Sequence, residues 1–287
     1  MQNSPAWILL VWILIFNSQV LPANAETQKP DQKPDQKPFS AYWQDIASSN
    51  LIIRGRFAQS HSKHLKDKSQ KSLTIIPLET LKGMKEKQIE FEQTIELNGI
   101  SERFGNMEVI AFLVHIQNER TDGFYLVDSS PTSVLPLNEL QLNLVRKEIL
   151  NQKLINENYP NLSISKPDKL DITVKQLLNG LVNSDTQEDC WMKLLNMDSK
   201  AIPALIHSMN DKRALAPGDF SSFSRKSFSV HDDHFHYSPQ IVQDAVSILV
   251  NQLTRISFHT TINGGTAEER KLDLSGWRVW LYYNKQL

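Results

Sequence analysis

The hydrophobic pattern of this chain changes period once, near Pro136, and that change constrains the fold more than any other feature. Before it, short apolar runs are rich in β-branched and aromatic side chains or alternate strictly with polar residues, as strands do. After it, apolar residues recur at three- and four-residue intervals, as in helices packed by one face. With 287 residues the chain can bury two cores of ordinary size. The order of the textures predicts an α+β fold. A small antiparallel β-barrel domain with a terminal helix spans residues 39–160, and an all-α domain spans 165–287.

Five strands are expected in the first half. The runs are Leu51–Phe57, Leu73–Leu78, Gln88–Leu97, Val109–Ile116 and Gly123–Asp128. In the third, Ile89, Phe91, Gln93, Ile95 and Leu97 alternate with Glu90, Glu92, Thr94 and Glu96, so one face is buried and an acidic face meets water. Five such strands divided by turn residues fit a small barrel or sandwich.

Ser49-Asn-Leu-Ile-Ile-Arg-Gly-Arg56, Leu81-Lys-Gly83, Glu108-Val-Ile-Ala-Phe-Leu113 and Gly123-Phe-Tyr-Leu126 together resemble the tissue-inhibitor/netrin-type five-stranded barrels found in exported bacterial proteins. The resemblance covers about a third of the chain and implies the barrel. The animal inhibitors of that superfamily act through a cysteine at the mature N-terminus, where this chain is expected to carry Glu26, so inhibition by that route is not expected.

The helical half opens with an amphipathic helix of roughly four turns from Asn138, carrying Leu140, Leu144, Ile149 and Leu150. A joint is expected from Tyr159-Pro160 to Pro167-Asp168. Apolar stripes then follow at Val174 to Val182, Cys190 to Leu195, Ile202 to Met209, Ile241 to Ile256 and Trp277 to Leu281. Ser238-Pro239 reads as a helix start, and Thr266-Ala-Glu-Glu269 reads as a capping box for the last helix. The stretch Cys190 to Ile206, with Asn210-Asp-Lys-Arg213 after it, resembles a HEAT-type repeat. That resemblance implies a helical-repeat-like domain offering an interaction surface rather than catalysis.

An export address precedes both halves. The apolar run Ala6–Phe16 is too short to span a bilayer, which takes about 20 residues, and reads as the core of a signal peptide. Leu21-Pro-Ala-Asn-Ala25 offers a small-residue cleavage site, giving a signal over 1–25 and a mature chain of 262 residues. The run before it, Met1–Pro5, has no Lys or Arg, so retention as an uncleaved membrane anchor is the alternative. Residues 26–38 repeat Asp-Gln-Lys-Pro and read as an extended linker. Cys190 is the single cysteine, which rules out a disulfide scaffold and, far from the signal, a lipoprotein anchor.

Thirty-one basic residues against 32 acidic ones leave no cationic excess for phosphate binding, so nucleic acid is not an expected partner. One segment concentrates chemistry: His231-Asp-Asp-His-Phe-His236, inside an aperiodic stretch from Ala216 to Tyr237. Imidazoles and carboxylates are ligands for a divalent transition metal, with His231, Asp233, His234 and His236 as the candidate metal residues. The spacing matches no established metal signature, and surface loops gather His and Asp for solubility alone. No catalytic residues are assigned, because nothing supplies a recognisable nucleophile or oxyanion device. The expected function is that of an exported, periplasmic or secreted, non-enzymatic interaction protein of the cell envelope. It would bind a protein partner, need no cofactor and have no membrane span after cleavage. The alternative is a metal-dependent hydrolase or metal-binding protein using the 231–236 loop.

Overall fold

The computed structural model describes residues 42–58, 62–65, 68–92, 104–105, 107–117, 122–127, 133–162, 167–217, 239–258 and 265–284. The expected export signal, the linker and the His231–His236 segment lie outside these residues.

The strand β1 (Leu51–Phe57) lies at the centre of a seven-stranded antiparallel sheet. Its neighbours are β3 (Lys68–Lys82) and β5 (Glu108–Gln117). Around them, β2 (Ser62–Leu65) and β4 (Ile89–Glu92) pair with β3, while β6 (Asp122–Leu126) and β7 (Val134–Pro136) pair with β5. Three of the expected strands form at nearly their expected bounds, and the expected 73–78 strand is the middle of the 15-residue β3. The alternating one is described only over β4, and its 93–97 portion lies outside the described residues. The sheet is nearly closed, with β4 coming alongside β6.

Closure follows from local irregularities in β3. Against β1, Ile52 pairs with Lys82 but Ile53 with Thr80, and Arg54 pairs with Glu79 but Gly55 with Pro77. Leu81 and Leu78 are therefore extra residues on β3, and such bulges bend a strand and raise its twist. Pro77 is tolerated because β4 pairs with β3 only over 72–75, so its missing N–H faces an unpaired side. Gly83 ends the strand at φ 93°, where a side chain would be strained.

Both faces of the sheet are covered. Leu51, Ile53, Ile75, Val109, Ala111 and Leu113 fill the barrel interior. Ile52, Ile110 and Phe112 point outward onto Ile46 of α1 (Trp43–Ser48) and onto Leu142 and Val145 of α2 (Glu139–Leu162). This double burial is why β1 and β5 read as continuous apolar runs rather than alternating ones. Helix α2 is longer than the four turns expected from sequence and runs through Pro160. A proline in the last turn removes only one hydrogen bond, and the helix ends two residues later.

Among the described residues the further helices are α3 (Lys169–Gly180), α4 (Gln187–Leu195), a 3₁₀ turn (Asp198–Ala201), α5 (Ile202–His207), α6 (Val242–Thr254) and α7 (Ala267–Asn284). Every residue from Val242 to Val250 is buried, so α6 is the central helix, with α4, α5 and α7 packed around it. Trp191, Leu194, Leu205, Leu249 and Trp277 form its core, and Cys190 is buried there as a structural thiol. Ser238-Pro239 does not open this helix. It begins at Val242, where the Asp244 carboxylate accepts the N–H groups of Gln240 (2.9 Å) and Ile241 (3.2 Å). The Thr266–Glu269 capping box of α7 forms as expected, at 2.5 and 3.3 Å.

The described residues all belong to one compact unit. Ala47 and Tyr159, on α1 and α2, join the helical core, so the two helices that cover the sheet also support the helices that follow. Among the described residues no helix is long and apolar enough to cross a membrane.

Candidate functional site

A groove of about 590 Å³ lies between α3 and the chain leaving α5. Its geometry starts at the first turn of α3. Asp168 and Asp171 form a capping box, in which Asp171 N–H donates to Asp168 Oδ1 (2.8 Å) and Asp168 N–H to Asp171 Oδ2 (3.0 Å). With one oxygen used in the cap, Asp171 turns Oδ1 toward His207 Nδ1 at 3.4 Å, and both side chains are only 15% exposed. His207 ends α5, where the negative end of the helix dipole favours a cation.

The opposite rim is held by Arg213. Its Nε and Nη2 donate to the Asp211 carboxylate at 3.0 and 2.5 Å, and its Nη1 donates to Asn179 Oδ1 at 2.9 Å. The guanidinium holds the Asp211 carboxyl below the usual carboxylate range, and the carboxylate raises Arg213 in return. Lys175, Gln176 and Asn210 add further polar groups, while Ile172 supplies apolar surface at 51% exposure.

Behind the groove, the Tyr159 ring lies 6.2 Å from His207, and the Arg278 guanidinium sits 4.6 Å from its centroid in a cation–π arrangement. The buried Tyr159 hydroxyl has no hydrogen-bond partner among the described residues, and burial pushes it up to about 12. Burial also lowers Arg278. The groove is thus backed by a rigid layer in which α2, α3, α5 and α7 meet.

The His207–Asp171 couple is arranged like part of a catalytic relay, and among the described residues lining the groove the hydroxyl side chain is Ser208. The neighbouring Ser208 hydroxyl donates into its own helix, to the Ala204 carbonyl at 3.0 Å. Carboxamides, paired charges and one exposed aliphatic side chain give the groove both hydrogen-bond donors and acceptors beside apolar surface.

A second ion cluster lies on the outer face of the sheet. Arg54 Nε donates to Glu108 Oε2 at 2.7 Å, Arg56 pairs with Glu108 Oε1 at 2.5 Å, and Arg146 of α2 grips Glu79 at 2.6 and 2.8 Å. The two arginines hold the Glu108 carboxyl below its ordinary range. Every acid here is taken, so the cluster fastens α2 to β1, β3 and β5.

Of the sequence-derived candidates, His231, Asp233, His234 and His236 lie outside the described residues. The ends of the surrounding stretch are held together, with Leu215 N–H donating to the Gln240 carbonyl (3.0 Å) and Val242 N–H to that of Arg213 (2.9 Å). Among the described residues no three His, Cys, Asp or Glu side chains could share a metal ion. The sequence reading missed Asp171, Asn179 and the pairing of His207. The Asp168-x-x-Asp171 spacing ahead of an apolar stripe was the available signal for the first. Compared with known proteins, the chain matches no protein-family model, no curated protein and no solved structure.

Proposed function

We propose that the chain is an exported, non-enzymatic interaction protein of the cell envelope that holds a polypeptide segment of a partner protein in the α3/α5 groove. The observation carrying this reading is the composition of that groove. Asn179, Asn210, Gln176 and Arg213 offer hydrogen bonds of both senses beside the exposed Ile172, with Ser208 committed to its own helix. The HEAT-type resemblance of 190–213 supports the same reading, since stacked helix pairs serve as binding surfaces. In this reading the barrel, likened to the netrin-type modules of exported proteins, is a rigid support. The expected signal over 1–25 delivers the chain to the periplasm or the exterior.

The test places a photo-crosslinking amino acid at position 172 in the full-length protein expressed in cells. One discrete adduct with an envelope protein is expected, weakened by Lys175→Glu and absent with the probe at Lys271 on α7. Recovery of the uncrosslinked chain alone would overturn the groove as a binding site. Stoichiometric transition metal in the purified protein, lost in a His234→Ala/His236→Ala variant, would overturn the cofactor-free reading.

A further inference from the structure

Helix α2 carries its apolar residues on two opposite faces. One face, with Leu142 and Val145, is buried against the rest of the protein. The other presents Leu140, Leu144, Leu150 and Leu154 to solvent at 69, 44, 62 and 56% exposure. At roughly 100° per residue these four leucines fall within an arc of about 120°, and Lys147 stands at its middle.

The spacing is symmetric. Leu144 and Leu150 are each three residues from Lys147, and Leu140 and Leu154 are each seven. A stripe with that symmetry is complementary to itself when turned end for end. An antiparallel copy with its two-fold axis at Lys147 sets Leu144 opposite the partner's Leu150 and Leu140 opposite the partner's Leu154, on both sides of the axis at once. In the same register, Lys153 comes alongside the partner's Glu139 within about two residues, ~3 Å along the axis.

We infer that α2 is the interface of an isologous, antiparallel homodimer, with the second copy of this chain as the occupant of the leucine stripe. In this register the two helices overlap from Glu139 to Ile155, roughly 25 Å at ~1.5 Å per residue, by roughly the width of a helix. That area falls below the ~1,200 Å² of stable interfaces, so the dimer is reversible and concentration-dependent. The two Lys147 ammonium groups flank the axis and oppose each other. A single charged residue in such a seam fixes register at a cost in stability. The inference is independent of the α3/α5 groove.

A single thiol tests the register directly, because Cys190 is buried and does not compete. In the full chain carrying Lys147→Cys, mild oxidation is expected to give a covalent dimer about tenfold faster than in a Lys271→Cys control, since the axis brings the two thiols together. Adding Leu144→Lys to Lys147→Cys is expected to remove that advantage while circular dichroism stays unchanged, because Leu144 lies outside the core. By sedimentation equilibrium, Lys147→Leu is expected to tighten association. Equal cross-linking at positions 147 and 271, or a dimer indifferent to Leu144→Lys, would overturn the proposal.

Discussion

Tyr283, four residues from the end of the chain, donates its hydroxyl to the buried Glu148 carboxylate at 2.8 and 2.9 Å, and so ties the last helix to α2. Gln152 Nε2 donates to the same carboxylate at 3.0 Å and to the Trp43 carbonyl at 2.8 Å, which brings α1 into the network. Burial and the neighbouring Glu148 push the Tyr283 hydroxyl well above its ordinary value, so it stays a donor at any physiological pH. Tyr283→Phe removes the hydroxyl without changing ring volume and leaves a buried carboxylate short of a donor. Equilibrium urea denaturation is expected to show a loss of about 1–3 kcal/mol. A loss under about 0.5 kcal/mol, the usual range for neutral surface changes, would show that the bond contributes nothing net.

Asp273 gives the fold a pH dependence of unusual sign. It is buried between α6 and α7, where burial pushes its carboxyl up to about 7, against the opposing influence of Ser247 and Trp277. In the unfolded chain the group titrates near ~4. Between those values the folded state binds the extra proton, so stability from this group is full below ~4 and is lost as pH rises toward 7. The loss is on the order of a few kcal/mol. Asp273→Asn, a neutral isostere, is expected to flatten the profile and to exceed the wild type in stability at pH 8. Parallel slopes for the two proteins between pH 4 and 7 would refute the assignment.

What could be read in the sequence followed the range of the interactions involved. β1 and α6 were visible because burial on both faces, or all round, demands unbroken apolar runs. The α7 cap was visible because its partners Thr266 and Glu269 are three residues apart. The α6 start was misplaced because Asp244 reaches backward to Gln240 and Ile241, so the cap lies inside the helix rather than ahead of it. Helix α2 extends beyond the four turns expected from Asn138, because Ile155 and Tyr159 are buried after the apolar stripe that ends at Leu150. The groove was the least legible feature. Asp171 and His207 are 36 residues apart and meet only through the α3/α5 packing.

Gly276 marks the closest approach of α7 to the turn after α6. A Cβ placed there would lie 2.5 Å from Phe258 Cγ, within a ring that packs edge-on against Trp277 with centroids 4.8 Å apart. Phe258 and Trp277 are both fully buried, so neither ring can move aside cheaply. Gly276→Ala gains helix propensity of about 1 kcal/mol but overpacks the core by ~1–3 kcal/mol or more. A net loss in stability is expected, with altered near-ultraviolet circular dichroism from the displaced tryptophan. A stabilised protein with an unchanged tryptophan signal would show that the ring is free to shift.

Function and stability should separate at the groove rim. Lys175 is exposed on α3 and lines the groove, so reversing its charge disturbs no packed contact. Lys175→Glu is expected to keep folding stability within about 0.5 kcal/mol while weakening the adduct formed through position 172. Asp168→Ala should do the reverse at first order. It removes the α3 cap, costs about 1 kcal/mol, and leaves Lys175, Asn179 and Arg213 in place. Measuring both variants by urea denaturation and by crosslinking yield distinguishes a surface selected for binding from one that merely covers the helical core. If the yield tracked stability across the two variants, the groove would be a consequence of helix packing alone.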